Sequence, residues 1–356
     1  MQYLDETNYK CYMKKNRYFI QINSAYGQSY RFSYNYGATK NIMLRVGMSF
    51  AEIRVNLSKL FTSEEILSSN TYLFPDAIRK ALLLQMVLFS NSMNIRKIKI
   101  TINGNTESFN YTPDYHSPVY QLISGPLKTS IPGTWSQGSV IDYILSNPKS
   151  NYDMRTAALF SYILSKSKKY ESERFVNLWM AFNGMYGYID SLVPLRKGKR
   201  KEYEQIVLLM KVYRLGKETL TSTDNNSVGQ EVCKILRHTD AVDFIAHPSK
   251  DNIPNDFADN IRNCLNKGGQ VIGAYDISAY GYLLTQFSYY FRCNIFHADK
   301  PLDLISYKDD HNLNCLRIIN GLLEEFLDEH LPDIFDNQII QKLLNDADFT
   351  YSNETV

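Results

Sequence analysis

The hydrophobic pattern changes its period part-way along this 356-residue chain. Up to about residue 122, apolar and polar residues alternate in short runs, a pattern that indicates strands. From about residue 136 onward, apolar residues recur every three or four positions over long stretches, which indicates helices. Residues 123–135 between them carry two prolines and two glycines. We therefore predict an α+β domain over 1–122, a linker over 123–135 and an all-α helical domain over 136–356.

The N-terminal domain combines β-rich runs with one amphipathic helix. Residues 76–89 place their apolar side chains on one helical face, and Asn103-Gly104 is a strong hairpin signal. Tyrosines in the strands could stack on nucleic-acid bases, although alternating tyrosine is also common on strand surfaces. The predicted strands are 18–22, 30–34, 42–46, 50–55 and 97–102.

Helical spacing dominates the C-terminal domain. Asn151 and Ser172 are the N-cap candidates for its second and third helices, since both residue types accept hydrogen bonds from a free first turn. The predicted helices are 140–145, 154–167, 172–192, 201–215, 253–266, 278–297 and 313–331.

Composition excludes several classes of protein. The net charge of +2 means that a nucleic-acid site must come from local clusters of basic residues. The five cysteines are odd in number and never spaced Cys-x-x-Cys, so we expect reduced thiols and no zinc site. The best apolar run, 81–89, is half a membrane span, and the N-terminus does not resemble a signal peptide. We expect a soluble cytoplasmic protein with no membrane contact, no metal and no cofactor.

Arg292 and His297 form an Arg-x4-His motif near the end of an aromatic helix. Five residues along a helix correspond to about 140°, so the two side chains flank one face, and Arg is long enough to reach across it. Pro301 makes continuation of the helix unfavourable. Spacing alone fits equally well an arginine that caps a helix end and a half-buried histidine without a catalytic role.

The residues around this motif carry a resemblance. The run from Arg292 to Pro301, Arg-Cys-Asn-Ile-Phe-His-Ala-Asp-Lys-Pro, resembles the Arg-Asn-Asn-Leu-Phe-His-Gly-x-Lys run of the Apea-like branch of the HEPN superfamily. The segment Glu173–Gly187 is similar to the family's early helix, whose aromatic-aliphatic face packs against the motif helix. The resemblance covers roughly residues 135–335. Cys293 departs from it, since the family usually has Asn, Asp or His there.

The resemblance implies a metal-independent endoribonuclease in which two motifs meet across a dimer axis. The implied catalytic residues are Arg292 and His297: histidine can act as base or acid near neutral pH, and arginine can bind phosphate. The 2′-hydroxyl of RNA would attack the phosphate and leave a 2′,3′-cyclic phosphate and a 5′-hydroxyl. Asn294 matches the family run and is a supporting residue. The usual setting of such proteins is bacterial anti-phage defence or toxin-like systems, with a phage-derived trigger or an inhibitory partner.

Two further features are candidates for the site. Five basic residues lie within six positions, which indicates either a solvated turn or a patch that follows RNA phosphates. These residues are Arg196, Lys197, Lys199, Arg200 and Lys201. Asn183 lies on the helix that carries Trp179, where a buried amide would orient a motif residue or cap a backbone group. Trp179 itself is expected in the core rather than against a base.

Two other functions stay open. The helical domain could be a non-catalytic HEPN module for dimerisation or partner binding, and Cys293 is the residue that favours this alternative. Alternatively, the N-terminal domain could bind RNA while the helical domain serves as a scaffold. If the chain is instead a ribonuclease, the N-terminal domain would sense a trigger or restrain the nuclease.

Overall fold

The structure is a computed structural model in which the chain forms two compact units. The sheet unit comprises Met1–Pro126 and Gly133–Ser150, and the helical unit comprises Leu127–Pro132 and Asn151–Val356. The described residues are 15–36, 40–67, 73–90, 95–110, 127, 130–136, 138–146, 153–194, 200–213, 288, 289, 292 and 310–347.

Six antiparallel strands form the sheet, in the order β2-β3-β4-β1-β5-β6. The β5–β6 hairpin turns at Asn103 and Gly104, whose φ angles are 51° and 98°. Two successive positive φ angles suit Asn-Gly, which confirms the predicted hairpin. The strands are β1 (Asn16–Ile22), β2 (Ser29–Tyr36), β3 (Lys40–Gly47), β4 (Ala51–Leu57), β5 (Lys97–Ile102) and β6 (Asn105–Asn110).

One face of the sheet forms the core of its unit. Ile20 pairs with Ile53 on one side and Ile100 on the other, and all three are fully buried. Each such side chain contributes about 1.5–3 kcal/mol through the removal of apolar surface from water. Helix α2 (Leu73–Phe89), which follows the short α1 (Ser63–Leu67), packs on β3 and β4. The alternation that predicted strands thus also selects the buried face.

Helix α3 (Ser139–Ser146) packs against α2 and β2. Lys80 of α2 is 3% exposed and donates a hydrogen bond from Nζ to the Leu145 carbonyl at 3.1 Å. The same Nζ lies 3.4 Å from Asp76 Oδ2. The division read from the sequence assigned everything after residue 135 to the helical domain, whereas the contacts of α3 lie in the sheet unit.

The helical unit is arranged around its longest described helix, α5. This helix packs against α4, α6 and α7, and it buries Phe175, Trp179 and Phe182. The architecture of an α+β unit followed by a helical region agrees with the predicted fold class at that level. The helices are α4 (Met154–Ser167), α5 (Glu171–Leu192), α6 (Glu202–Val212), α7 (Asp310–His330) and α8 (Asn337–Asp346), with a 3₁₀ turn at Leu331–Phe335.

A glycine allows α4 and α5 to approach closely. A Cβ atom on Gly184 would lie 2.6 Å from the Met154 carbonyl oxygen and 2.8 Å from the Ala158 Cβ. Both distances are too short for a stable contact, so the pairing of these two helices requires glycine at this position.

The predicted boundaries of α4 and β5 match the structure, but both predicted N-caps are wrong. Asp153 caps α4, and its Oδ1 accepts a hydrogen bond from the Thr156 N–H at 2.7 Å. Ser172 lies inside α5, which begins one residue earlier. The predicted helix 253–266 and most of 278–297 lie outside the described residues. In the described part of the chain, no helix is both long enough and apolar enough to cross a membrane.

Candidate functional site

Arg292 is held at the start of α6 by a carboxylate. Its Nη2 lies 3.5 Å from Glu202 Oε2, and the Tyr186 hydroxyl of α5 donates to Glu202 Oε1 at 2.5 Å. Glu202 is the first residue of α6. We call Arg292, Glu202, Tyr186 and the neighbouring Tyr289 the Arg292 cluster.

Aromatic rings connect this cluster to α5. The Tyr289 ring lies 6.2 Å from the Trp179 ring, and the Arg292 guanidinium carbon lies 6.0 Å from the Tyr289 ring centre. Trp179 is also 6.4 Å from Tyr186 in an edge-on arrangement. Tyr289, three residues before Arg292, thus connects Trp179 with the start of the Arg292–Pro301 run, although the two are more than 100 positions apart in sequence.

Burial and charge define what each group of the cluster can do. Burial, and then the Glu202 carboxylate, raise the pKa of Tyr186 well above its usual value, while Arg292 lowers it. Tyr186 therefore stays protonated and acts as a hydrogen-bond donor rather than as a base. The Arg292 and Glu202 side chains are 23% and 24% exposed. Both side chains are therefore in contact with solvent.

The basic run ends beside this cluster. Lys201 is exposed, immediately precedes Glu202, and donates its backbone N–H to Glu204 Oε2 at 2.7 Å. Arg200 is instead anchored at the end of α5, with Nη1 2.7 Å from Asp190 Oδ1 and Nη2 3.0 Å from the Pro194 carbonyl. Arg200 therefore has a structural partner that the sequence did not reveal. The other three residues of the run, Arg196, Lys197 and Lys199, lie outside the described residues.

Two residues of α5, each with a role expected from the sequence, can be compared with their observed environments. Asn183 is exposed on α5, so the interpretation of a buried amide that orients the motif is wrong. Trp179 is 2% exposed among aromatic rings, which confirms that it belongs to the core. His297 and Asn294 lie outside the described residues, and their predicted roles stay predictions.

A second charged cluster lies between α4 and α7, and sequence reasoning missed it. The Lys166 side chain is 1% exposed, and its Nζ lies 2.5 Å from Glu324 Oε1 and 3.1 Å from Asp328 Oδ1. The Tyr162 hydroxyl donates to Asp328. We call these four residues the Lys166 cluster. Lys166 lies four positions after Tyr162, so both side chains lie on the buried face of α4.

Charge neutralisation continues outward from the Lys166 cluster. Arg174 pairs with both Glu324 and Glu171, and Asn320 donates from Nδ2 to Glu171 Oε2 at 2.7 Å. Burial lowers the pKa of Lys166, and the nearby Asp328 opposes that shift. The network thus links α4, α5 and α7.

An open groove of about 490 Å³ lies beside this network. Its acidic lining is unsuited to binding RNA phosphates, because like charges repel. In the described part of the chain, no group of three or more His, Cys, Asp or Glu residues could hold a metal ion. The expectation that no metal takes part stays a prediction. The groove is lined by Pro132, Gly321, Glu324, Glu325, Asp328 and Glu329.

No protein-family model matches this chain, and comparison with curated proteins and with solved structures likewise gives no match. The resemblance to HEPN domains therefore depends on the residues quoted above.

Proposed function

We propose that the chain is a metal-independent endoribonuclease of HEPN type that acts in bacterial anti-phage defence or in a toxin-like system. The observation that supports this proposal best is the position of Arg292. It lies where the motif segment, the aromatic face of α5 and the end of the basic run come together at Glu202. A guanidinium close to a run of basic residues favours the binding of an RNA phosphate.

Each residue has a defined part in this reaction. The 2′-oxygen attacks phosphorus and loses its proton to a base, while the bond to the 5′-oxygen breaks and that oxygen takes a proton from an acid. His297 supplies the base or the acid. Arg292 binds the phosphate oxygens and stabilises the charge that develops on them. Glu202 holds Arg292 in place before RNA binds, and Lys201 with the preceding basic residues attracts the RNA backbone.

A dimer would complete the site. One Arg and one His per chain are few groups for a reaction that needs a base, an acid and phosphate binding, and a two-fold axis doubles them. We therefore propose a homodimer formed through the motif helix, with RNA as substrate and a phage-derived trigger or inhibitory partner as regulator. Light scattering should give twice the mass of one chain. A single-chain mass together with full activity would exclude the composite site.

The second candidate is a non-catalytic HEPN module for dimerisation or partner binding. The observation that favours it is the ion pair of Arg292 with Glu202, because the same contacts can serve as a structural link between helices. Cys293 stands where the family usually has a polar residue, and this difference also favours a non-catalytic module. The two candidates differ in whether the purified protein cleaves RNA.

The deciding experiment is incubation of the purified full chain with total RNA in EDTA, followed by analysis of the product ends. We expect cleavage that leaves 2′,3′-cyclic phosphates. His297→Ala should reduce the rate by on the order of 10²–10⁴, as for loss of a general acid or base. Cleavage that vanishes in EDTA and returns with Mg²⁺ or Mn²⁺ would refute the metal-independent mechanism. An unchanged rate in His297→Ala would refute the assigned site.

A further inference from the structure

The sheet unit presents a second face whose side chains point away from its core. Along β1, for example, Arg17, Phe19 and Gln21 alternate with the buried Tyr18, Ile20 and Ile22. The strand register aligns such residues into rows that cross the sheet. One row contains Arg31, Arg45, Glu52, Gln21, Lys99 and Ser108, and the next contains Ser33, Met43, Arg54, Phe19, Thr101 and Thr106. We call this the open face.

Positive charge dominates the open face. At the positions of β1 to β6 that point this way and whose side chains the structure describes, Glu52 is the one carboxylate. Glu52 is 5% exposed and lies 3.5 Å from Arg45 and 3.8 Å from Arg54, so its charge is largely neutralised. The unit therefore concentrates cations that a net charge of only +2 for the whole chain conceals. The cations of this face are Arg17, Arg31, Arg45, Arg54, Lys97 and Lys99.

An aromatic and apolar patch lies at the centre of these cations. The Arg54 guanidinium carbon is 5.0 Å from the Phe19 ring centre, and the Arg54 side chain is 61% exposed. Met43, directly opposite Arg54 in the register, is 47% exposed. A planar cation stacked on an aromatic ring offers a flat surface to an unpaired base.

The strand tyrosines do not form this surface. Tyr18 and Tyr34 lie on the core face, and their hydroxyls donate to the Lys59 carbonyl and to Asp76 respectively. The base-stacking role that the sequence suggested for tyrosines therefore fails for these two residues. Phe19, which follows Tyr18 on β1, points to the open face instead.

We propose that the open face binds single-stranded RNA, with bases stacked on Phe19 and Arg54 and phosphates paired with the surrounding cations. Lys97 and Lys99 lie two residues apart on β5, so they leave the same face of the strand about 6.6 Å apart. Serine, threonine and asparagine side chains between them supply hydrogen bonds for base edges and ribose hydroxyls. This binding is separate from the proposed cleavage, because it uses residues of the sheet unit alone.

Unpaired RNA fits this face better than an anionic bilayer does. A bilayer surface offers phosphates but no planar groups, so it would leave the Phe19–Arg54 stack unused. Duplex RNA keeps its bases stacked internally and presents mainly phosphates and ribose to a protein. Binding should therefore rank single strand above duplex.

The test is fluorescence anisotropy of the full chain with a labelled 2′-O-methyl oligouridine, which cannot undergo attack by a 2′-hydroxyl. Binding is thus measured whether or not the protein is a ribonuclease. The double variant Lys97→Gln/Lys99→Gln should weaken binding roughly tenfold at low salt. It should also reduce the slope of log affinity against log salt by about 1.4, or about 0.7 for each phosphate contact. The matched control is Lys211→Gln/Lys342→Gln, two exposed lysines of the helical unit.

Stacking is tested separately at Phe19. Phe19→Leu should weaken binding about fivefold or more without changing the salt slope, while Phe19→Tyr, which keeps a ring, should retain the affinity. Circular dichroism verifies folding, and the lysine variants still decide if Phe19→Leu unfolds. The proposal is overturned if the control variant loses as much affinity as the test variant, if duplex RNA binds equally well, or if vesicles containing phosphatidylserine displace the oligonucleotide.

Discussion

The Lys166 cluster and the Arg292 cluster use the same kinds of group: a cation, a carboxylate, and a tyrosine hydroxyl that donates to that carboxylate. They differ in exposure. The Lys166 side chain is 1% exposed, whereas the Arg292 side chain is 23% exposed. A fully buried ion can only hold helices together, while an ion in contact with solvent can also meet a ligand.

The energetic consequences follow from solvent access. Removing one member of a buried ion pair leaves the other charged in a medium of low polarity, which is strongly destabilising. An ion pair in contact with water contributes about 1 kcal/mol or less, because water can replace the lost partner. The first cluster should therefore affect stability, and the second should affect activity.

Among the variants that compare the two clusters, Arg292→Ala should have the largest effect, which is on the rate of RNA cleavage. Loss of phosphate stabilisation should lower the cleavage rate roughly 10²- to 10³-fold. The free energy of unfolding should change by about 1 kcal/mol or less. Cleavage assays and urea denaturation measure the two quantities, with Arg317→Ala on the exposed side of α7 as control. Wild-type cleavage by Arg292→Ala would make the Arg292 cluster a structural link like its counterpart.

Lys166→Met should have the opposite profile. It should lower the free energy of unfolding by about 3 kcal/mol, because Glu324 and Asp328 lose the cation between them. The control Lys342→Met, at an exposed lysine of α8, should stay within about 0.5 kcal/mol of wild type. Equal losses in the two variants would show that the buried network does not stabilise the fold.

The sequence predicted elements better than contacts, and the reason is physical. Lys97–Ile102 alternates regularly and Met154–Ser167 follows a helical period, so local spacing alone defined β5 and α4. Helix α2 begins at Leu73 rather than Asp76, because Pro75 is tolerated in a first turn where its missing N–H is not needed. The first residue of a helix depends on such backbone properties, and the spacing of apolar residues does not reveal them.

The candidate site could be predicted only in part. The motif and the aromatic helix identified Arg292 and Trp179, but the Glu202 contact joins residues 90 positions apart, and no local pattern encodes such a pairing. Arg200 was assigned to the basic run, but its partner Asp190 lies ten positions earlier, outside the short window that defined the run. Lys166 and its partner Asp328 lie 162 positions apart, a pairing that no short window reveals.

A smaller effect on the free energy of unfolding is expected from changes at the contact between α4 and α5, because both clusters depend on it. Helix α4 carries Lys166, α5 carries Tyr186, and Gly184 lets the two helices meet. Gly184→Ala should cost about 2 kcal/mol through overpacking against the Met154 backbone. Gly321→Ala on α7, where an added Cβ meets no atom within 4 Å, should instead stabilise by about 0.5–1 kcal/mol. A neutral Gly184→Ala measured by thermal unfolding would contradict the close approach.

The smallest expected effect concerns the tyrosines, in which the two clusters are alike. Burial first, and the neighbouring carboxylate second, raise the pKa of both Tyr162 and Tyr186. The folded state therefore keeps protons that the unfolded chain releases above about pH 10, so stability falls as pH rises through that value. Each tyrosine should contribute a loss of up to about 1.4 kcal/mol between pH 9 and pH 11.

Replacing either tyrosine should remove its share of this pH dependence. Tyr162→Phe and Tyr186→Phe should each lose stability less steeply than wild type between pH 9 and pH 11, as measured by urea denaturation. The lowered pKa of Lys166 acts in the opposite direction, but Lys166 is present in all these proteins, so it contributes little to the difference between them. Tyr26→Phe, at a side chain that is 84% exposed, should retain the wild-type profile. If only Tyr162→Phe reduced the loss of stability between pH 9 and pH 11, Tyr186 would be more accessible to water than its geometry indicates. The two clusters would then differ in the exposure of the tyrosine as well as of the cation.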